Sequence, residues 1–121
     1  MTIEGAVSMS PNQFRRLALS MPEAVESEHM GHADFRVNKR VFATLGYPDE
    51  RYGMLKLTGE GQIDCMDEEP GVFSPAAGAW GARGCTLVRL KGATAAMLRE
   101  PMRQAWGNVA PKRLRERVEG D

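Results

Sequence analysis

Asp34-Phe35-Arg36-Val37-Asn38-Lys39-Arg40-Val41-Phe42-Ala43-Thr44-Leu45 reads as two short apolar runs, Phe35 to Val37 and Arg40 to Leu45, joined by Asn38-Lys39. Asn tolerates positive φ, so this pair suits a tight hairpin turn. The apolar period stays near two from Ala24 to Gly59. Past the polar loop Gly46 to Arg51, Tyr52 to Leu57 resumes as a strand, which makes an antiparallel meander of three strands with a weaker extra one over Val25 to Met30.

Helical signals flank the meander. Ser10 suits an N-cap, Pro11 suits the first helical position, and Gln13 completes a capping box. Phe14, Leu17, Ala18 and Met21 follow at helical spacing as one apolar stripe, and Pro22 ends it. Thr58 to Glu69 is a short helix with apolar positions at Ile63 and Met66. Pro70 to Gly84 reads as a long structured loop that starts with a short strand at Val72-Phe73 and holds Trp80 as a packed anchor. Thr86 to Leu90 is a strand with Thr86, Val88 and Leu90 on one face. Ala93 to Val109 is the longest helix, with Leu98, Met102, Ala105, Trp106 and Val109 on one stripe, and Pro101 should kink or divide it. Pro111 opens a last basic helical stretch. The order is α-β3-α-β2-α, an α+β two-layer domain with helices packed on a mainly antiparallel sheet.

The chain has 121 residues, which fits one domain spanning 1–121, with 1–9 and 119–121 as loose ends. No apolar run approaches the ~18 residues of a membrane span. Two cysteines, Cys65 and Cys85, are too few for a disulfide framework and suit a reducing cytoplasm. Sixteen Lys+Arg balance sixteen Asp+Glu, which excludes bulk coating of nucleic acid. That zero is a sum of unlike parts. Residues 1–82 carry 7 basic and 12 acidic residues, net −5, and residues 83–121 carry 9 and 4, net +5.

Candidate chemistry is sparse. His29 and His32 stand three apart near Glu26, Glu28 and Asp34, yet the H-x-x-H spacing chelates a metal only on a helix or turn, so solvated residues at a strand end are the default. Acidic neighbours oppose a Cys65 thiolate, and Cys85 follows Arg83 with a slightly better claim, but buried small hydrophobes are the default for both. The Gly78 to Gly84 segment lacks the Lys-Ser/Thr of a phosphate loop. Its glycines suit sharp turns, and Trp80 with Arg83 could serve planar or anionic ligands. No catalytic residue, metal ligand or cofactor is assigned. Lys39 and Arg40 at the hairpin tip, with Arg83, Arg89, Lys112, Arg113, Arg115 and Arg117, make a candidate anion-binding set, although charge runs are most often solvated faces.

Asp34 to Val37 followed by Arg40 to Leu45 resembles the MmcQ/YjbR-like family. The resemblance continues through Phe73-Ser74-Pro75-Ala76, Gly78-Ala79-Trp80-Gly81, Gly84 to Leu90, and Trp106-Gly107-Asn108-Val109-Ala110-Pro111-Lys112-Arg113-Leu114. It covers roughly residues 11 to 116, and Pro101 departs from the family's uninterrupted third helix. It implies a small α+β fold likened to secretion-chaperone and CyaY-like folds. It attaches no established reaction, and implies DNA binding through a double wing. The expectation is a non-enzymatic, cytoplasmic binding protein that contacts DNA or another anionic partner through its basic face, as a monomer or homodimer. The alternative is a domain that binds a small molecule, peptide or protein partner, to which Met54, Met66, Met97 and Met102 could lend an adaptable surface. An enzyme using His29, His32 and Asp34 ranks last.

Overall fold

The computed structural model describes residues 8–119. Its elements are α1 (Pro11–Leu19), β1 (Val25–His29), β2 (His32–Val37), β3 (Arg40–Leu45), β4 (Tyr52–Lys56), α2 (Gly59–Glu68), β5 (Phe73–Pro75), α3 (Gly78–Ala82), β6 (Cys85–Arg89), α4 (Ala95–Val109) and α5 (Lys112–Glu119). The six strands form one antiparallel sheet in the order β1-β2-β3-β4-β6-β5.

The hairpin turn forms as its residues require. Asn38 and Lys39 adopt φ of 52° and 67°, two consecutive left-handed residues whose twist matches that of the flanking strands. Met30 and Gly31, at φ 50° and 79°, repeat the device between β1 and β2. The weak extra strand is therefore a full member of the sheet, and the meander has four strands. Phe42 is an extra residue in β3, because Phe35 pairs with Ala43 while Arg36 pairs with Val41. Such a bulge sharpens the local twist.

Cross-strand partners share a face. Phe35, Ala43, Leu55 and Thr86 thus form one row, and Gly53, Val88 and Phe73 another. Helices α1 and α4 cover these rows. Phe14 of α1 lies with its ring centroid 6.2 Å from that of Phe35, and a Cβ on Gly53 would stand 2.6 Å from the Phe14 ring. The absent side chain is what lets α1 settle onto β4. The expected α1 capping box is present, with the Gln13 N–H donating to Ser10 Oγ and Gln13 Oε1 accepting from the Ser10 N–H.

All five expected stripe residues of α4 are buried, and the Trp106 Nε1–H donates to the Pro22 carbonyl at 2.9 Å. Pro101 does not divide α4, which runs unbroken from Ala95 to Val109 with Pro101 half-buried. Only the carbonyl four residues back, that of Met97, forgoes its helical bond.

Three further expectations change. Ile63 faces solvent, while Gln62 and Cys65 turn inward on α2. Gln62 Nε2 donates to the carbonyls of Gly81 and Cys85, which fastens α2 to the segment before β6. That segment holds the five-residue helix α3 where an irregular loop was expected, so the element count exceeds α-β3-α-β2-α by one strand and two helices. Of the expected loose lead-in, Met1 to Val7 lies outside the described residues. Met9, however, is buried in the core, with its N–H donating to the Leu90 carbonyl.

Candidate functional site

The sheet face away from α1 and α4 carries the row Asp34, Thr44, Met54, Leu87. Asp34 is fully buried. Arg36 Nε donates to its Oδ1 at 2.8 Å and Arg36 Nη2 to its Oδ2 at 2.9 Å, a bidentate pair built from two residues of one strand on one face. His29 Nδ1 lies 2.7 Å from the same Oδ2, brought there by the β1–β2 hairpin. The Arg36 guanidinium holds the Asp34 carboxyl below its usual range, against the opposing effect of burial, and His29 adds to the lowering. With Nδ1 committed to Asp34, the imidazole has only Nε2 left to offer, as an acceptor when neutral and a donor when charged. His29 is therefore an oriented group and not simply a solvated strand end. His32 is half-buried and meets Tyr47 edge to face, with ring centroids 5.8 Å apart.

Above this row lies a cavity of about 510 Å³. His29, Met30, His32 and Tyr47 line it at one end of the sheet; Lys56, Ala76, Ala77, Trp80 and Cys85 line it at the other. Val41, Thr44 and Met54 contribute along the strands between. The volume falls within the range of small-molecule sites. Met30, Tyr47 and Trp80 are three of the large apolar side chains the fold leaves exposed, at 89%, 42% and 60%. All three line this one cavity. Thr44 Oγ1 is buried without a hydrogen-bond partner, the only such side-chain atom among the described residues.

Trp80 is thus no packed anchor. The short helix α3 lifts it out of the core, because Gly81, not Trp80, faces inward there: a Cβ on Gly81 would stand 1.9 Å from the Ala76 carbonyl oxygen. Arg83, expected beside Trp80, does not line the cavity. Sequence reading passed over Thr44, Tyr47 and Lys56. The alternation of β4, which places Met54 and Lys56 on one face, was the available signal. Of the other methionines singled out, Met102 is buried in the core and Met66 and Met97 pack against it.

The expected anion-binding residues are all exposed but only partly gathered. Lys39 and Arg40 sit at the β2–β3 tip, the end of the sheet where β4 finishes and β6, just past Arg83, begins. The start of α5 reaches that end too, since Asn108 Nδ2 donates to the Lys56 carbonyl and Arg113 bonds Glu23 just before β1. Arg89 lies at the opposite end, paired in register with Tyr52. Two members of the set are engaged by acids, Arg113 by Glu23 at 3.2 Å and Lys112 by Glu116 at 3.7 Å.

Both thiols are buried. Burial raises the Cys65 thiol to about 11, reinforced by Glu68 and Asp64, and it raises Cys85 against the opposing pull of Lys56 and Arg83. Neither is poised as a thiolate nucleophile. Among the described residues no three His, Cys, Asp or Glu side chains form a group able to hold a metal ion. No helix among them is long and apolar enough to cross a membrane.

A search of curated proteins finds no match to the chain. Among solved structures, a Deinococcus radiodurans protein with a DUF419 domain is similar in fold, with a TM-score of 0.71 over 95% of this chain and 91% of that one, at 17% sequence identity. The YjbR family model matches residues 19–108, from the end of α1 through most of α4. The chain belongs to the YjbR family.

Proposed function

We propose that this protein is a non-enzymatic binding domain whose ligand is a small molecule seated in the open-face cavity. One observation carries the reading: Met30, Tyr47 and Trp80, exposed apolar side chains from three separate segments, converge on a single concavity. Contiguous exposed apolar surface on a small domain marks a binding site. The buried, partnerless Thr44 hydroxyl adds support, since an unsatisfied polar atom has a standing cost that a ligand could relieve by bonding it. The Cys85 thiol, raised by burial, is no ready nucleophile at this wall.

A neutral apolar dye, Nile red, tests this on the native protein. Saturable fluorescence enhancement with one site per chain is expected. Trp80→Ala, which removes an exposed wall, should weaken binding about tenfold, the scale of one lost aromatic contact. Met54→Trp, which fills the floor, should abolish it. Dye uptake indifferent to both substitutions would refute the reading.

A second reading, nucleic-acid binding, draws on the gathering of Lys39, Arg40, Arg83 and the start of α5 at one end of the sheet. If about five phosphates were contacted, log K against log salt would fall with a slope of about −4.5. Loss of a low-salt mobility shift on neutralising Lys39, Arg40 and Arg83 together would support it, whereas an unaltered shift, or none in the wild type, would remove it.

A further inference from the structure

Lys56 closes one end of the cavity from the last position of β4, on the same face as Met54. It forms no ion pair among the described residues. No Asp or Glu lines the cavity. Asp34, the carboxylate that β2 places on this face, is consumed by two bonds from Arg36 and one contact from His29. The Asp34–Arg36 pair is neutral as a unit, so the Lys56 ammonium is the one unneutralised full charge in the lining among the described residues. Between Lys56 and the histidines the walls are apolar apart from Thr44: Val41, Met54, Ala76, Ala77, Trp80.

We infer that the cavity selects a small organic anion, with an apolar or aromatic body lying over Met54 and against Trp80 and a single carboxylate or sulfonate group at Lys56. The inference rests on the small-molecule reading above and names the chemistry of the ligand. The Lys56 ammonium is exposed, and it adds a screened charge–charge attraction to the apolar contact. Among the described residues that line this end there is no Asp or Glu to repel an anion. At the other end, Nε2 of His29 can bond a polar substituent without demanding charge. A cation of the same shape meets Lys56 with no acid to offset it, and the site discriminates by that repulsion as well as by attraction.

Two dyes separate this inference from the reading beneath it. 1-Anilinonaphthalene-8-sulfonate carries an aromatic body and one anionic group, and Nile red is uncharged. The full chain should bind both. Lys56→Met keeps the length and removes the charge; it should lose about fivefold in affinity for the sulfonate dye, while Nile red stays bound. Lys56→Arg should restore the sulfonate dye to within about threefold. Should Lys56→Met not fold, Lys56→Gln carries the same comparison. Sulfonate-dye binding equal in wild type and Lys56→Met, with Nile red still bound, would overturn the anion inference and leave the cavity reading in place. Failure of both dyes to bind wild type would overturn both.

Discussion

Gly84→Ala is expected to destabilise the protein by about 4 kcal/mol or more, at the extreme of single-substitution effects. Gly84 has a φ of +107°, a region that L-residues rarely enter, and an added Cβ would stand 2.0 Å from the Leu57 carbonyl oxygen. Neither strain can be relieved by a rotamer, because the obstacle is backbone. The Gly84 carbonyl also accepts from the Leu57 N–H at 3.2 Å and from Thr86 Oγ1 at 2.8 Å, so moving it loosens the junction of β4 and β6 at the middle of the sheet. Against a net stability of about 5–15 kcal/mol for such domains, that loss removes between about a quarter and four-fifths of it. Gly71→Ala is the control. Its Cβ would have nothing within 4 Å, and its stability should change by no more than about 0.5 kcal/mol. Thermal melts of the two variants decide the matter, and equal midpoints would refute it.

Asp34→Ala should cost about 2–3 kcal/mol, below the usual figure for a broken buried pair because Arg36 and His29 keep partial contact with water. The substitution leaves a guanidinium without its carboxylate and an imidazole without its anchor, beside a hole under the cavity floor. The pH dependence has a definite sign. The Asp34 carboxyl lies below its ordinary value in the folded state, chiefly through its bonds from Arg36. Its contribution is therefore complete above the unfolded value of about 3.9 and is lost as pH falls from there through the folded value. Urea midpoints of wild type and Asp34→Asn should differ clearly at pH 5, and the gap should shrink as pH falls below about 4. A gap that persists unchanged to pH 2.5 would show that the carboxylate charge is not what stabilises this corner.

How much of this was legible depended on whether the pattern was local. The Asn38-Lys39 turn, the Ser10 capping box and the Leu98-to-Val109 stripe each lie within a few residues, and each formed as read. Period-two alternation also put Asp34 opposite Phe35, yet Asp34 was grouped with surface acids because only the pairing of β2 with its neighbours shows it to be buried. In α2, burial follows hydrogen bonding rather than hydropathy, since Gln62 goes inward to hold two carbonyls and Ile63 is turned out. Around α3 the glycines looked like turn formers, and Gly81 proves to be required by close approach to Ala76 instead. The cavity left no local trace, since its lining runs from His29 to Cys85 across five strands, the segments between them and a helix. Splitting the balanced charge at residue 82 pointed to a basic tail. Lys56, a cation without an ion pair among the described residues, lies in the acidic half.

The sheet has two rims of unpaired backbone, and the strands described at its edges determine what can attach there. β5 is three residues long and ends on Pro75, which has no N–H to offer an incoming strand. β1 is longer and mostly exposed, but it carries Glu26 and Glu28, so a like strand laid alongside would bring carboxylates together. The histidine wall of the cavity hangs on that same outer strand. The acidic side chains that discourage edge-to-edge pairing thus stand on the same strand that delivers His29 to the cavity.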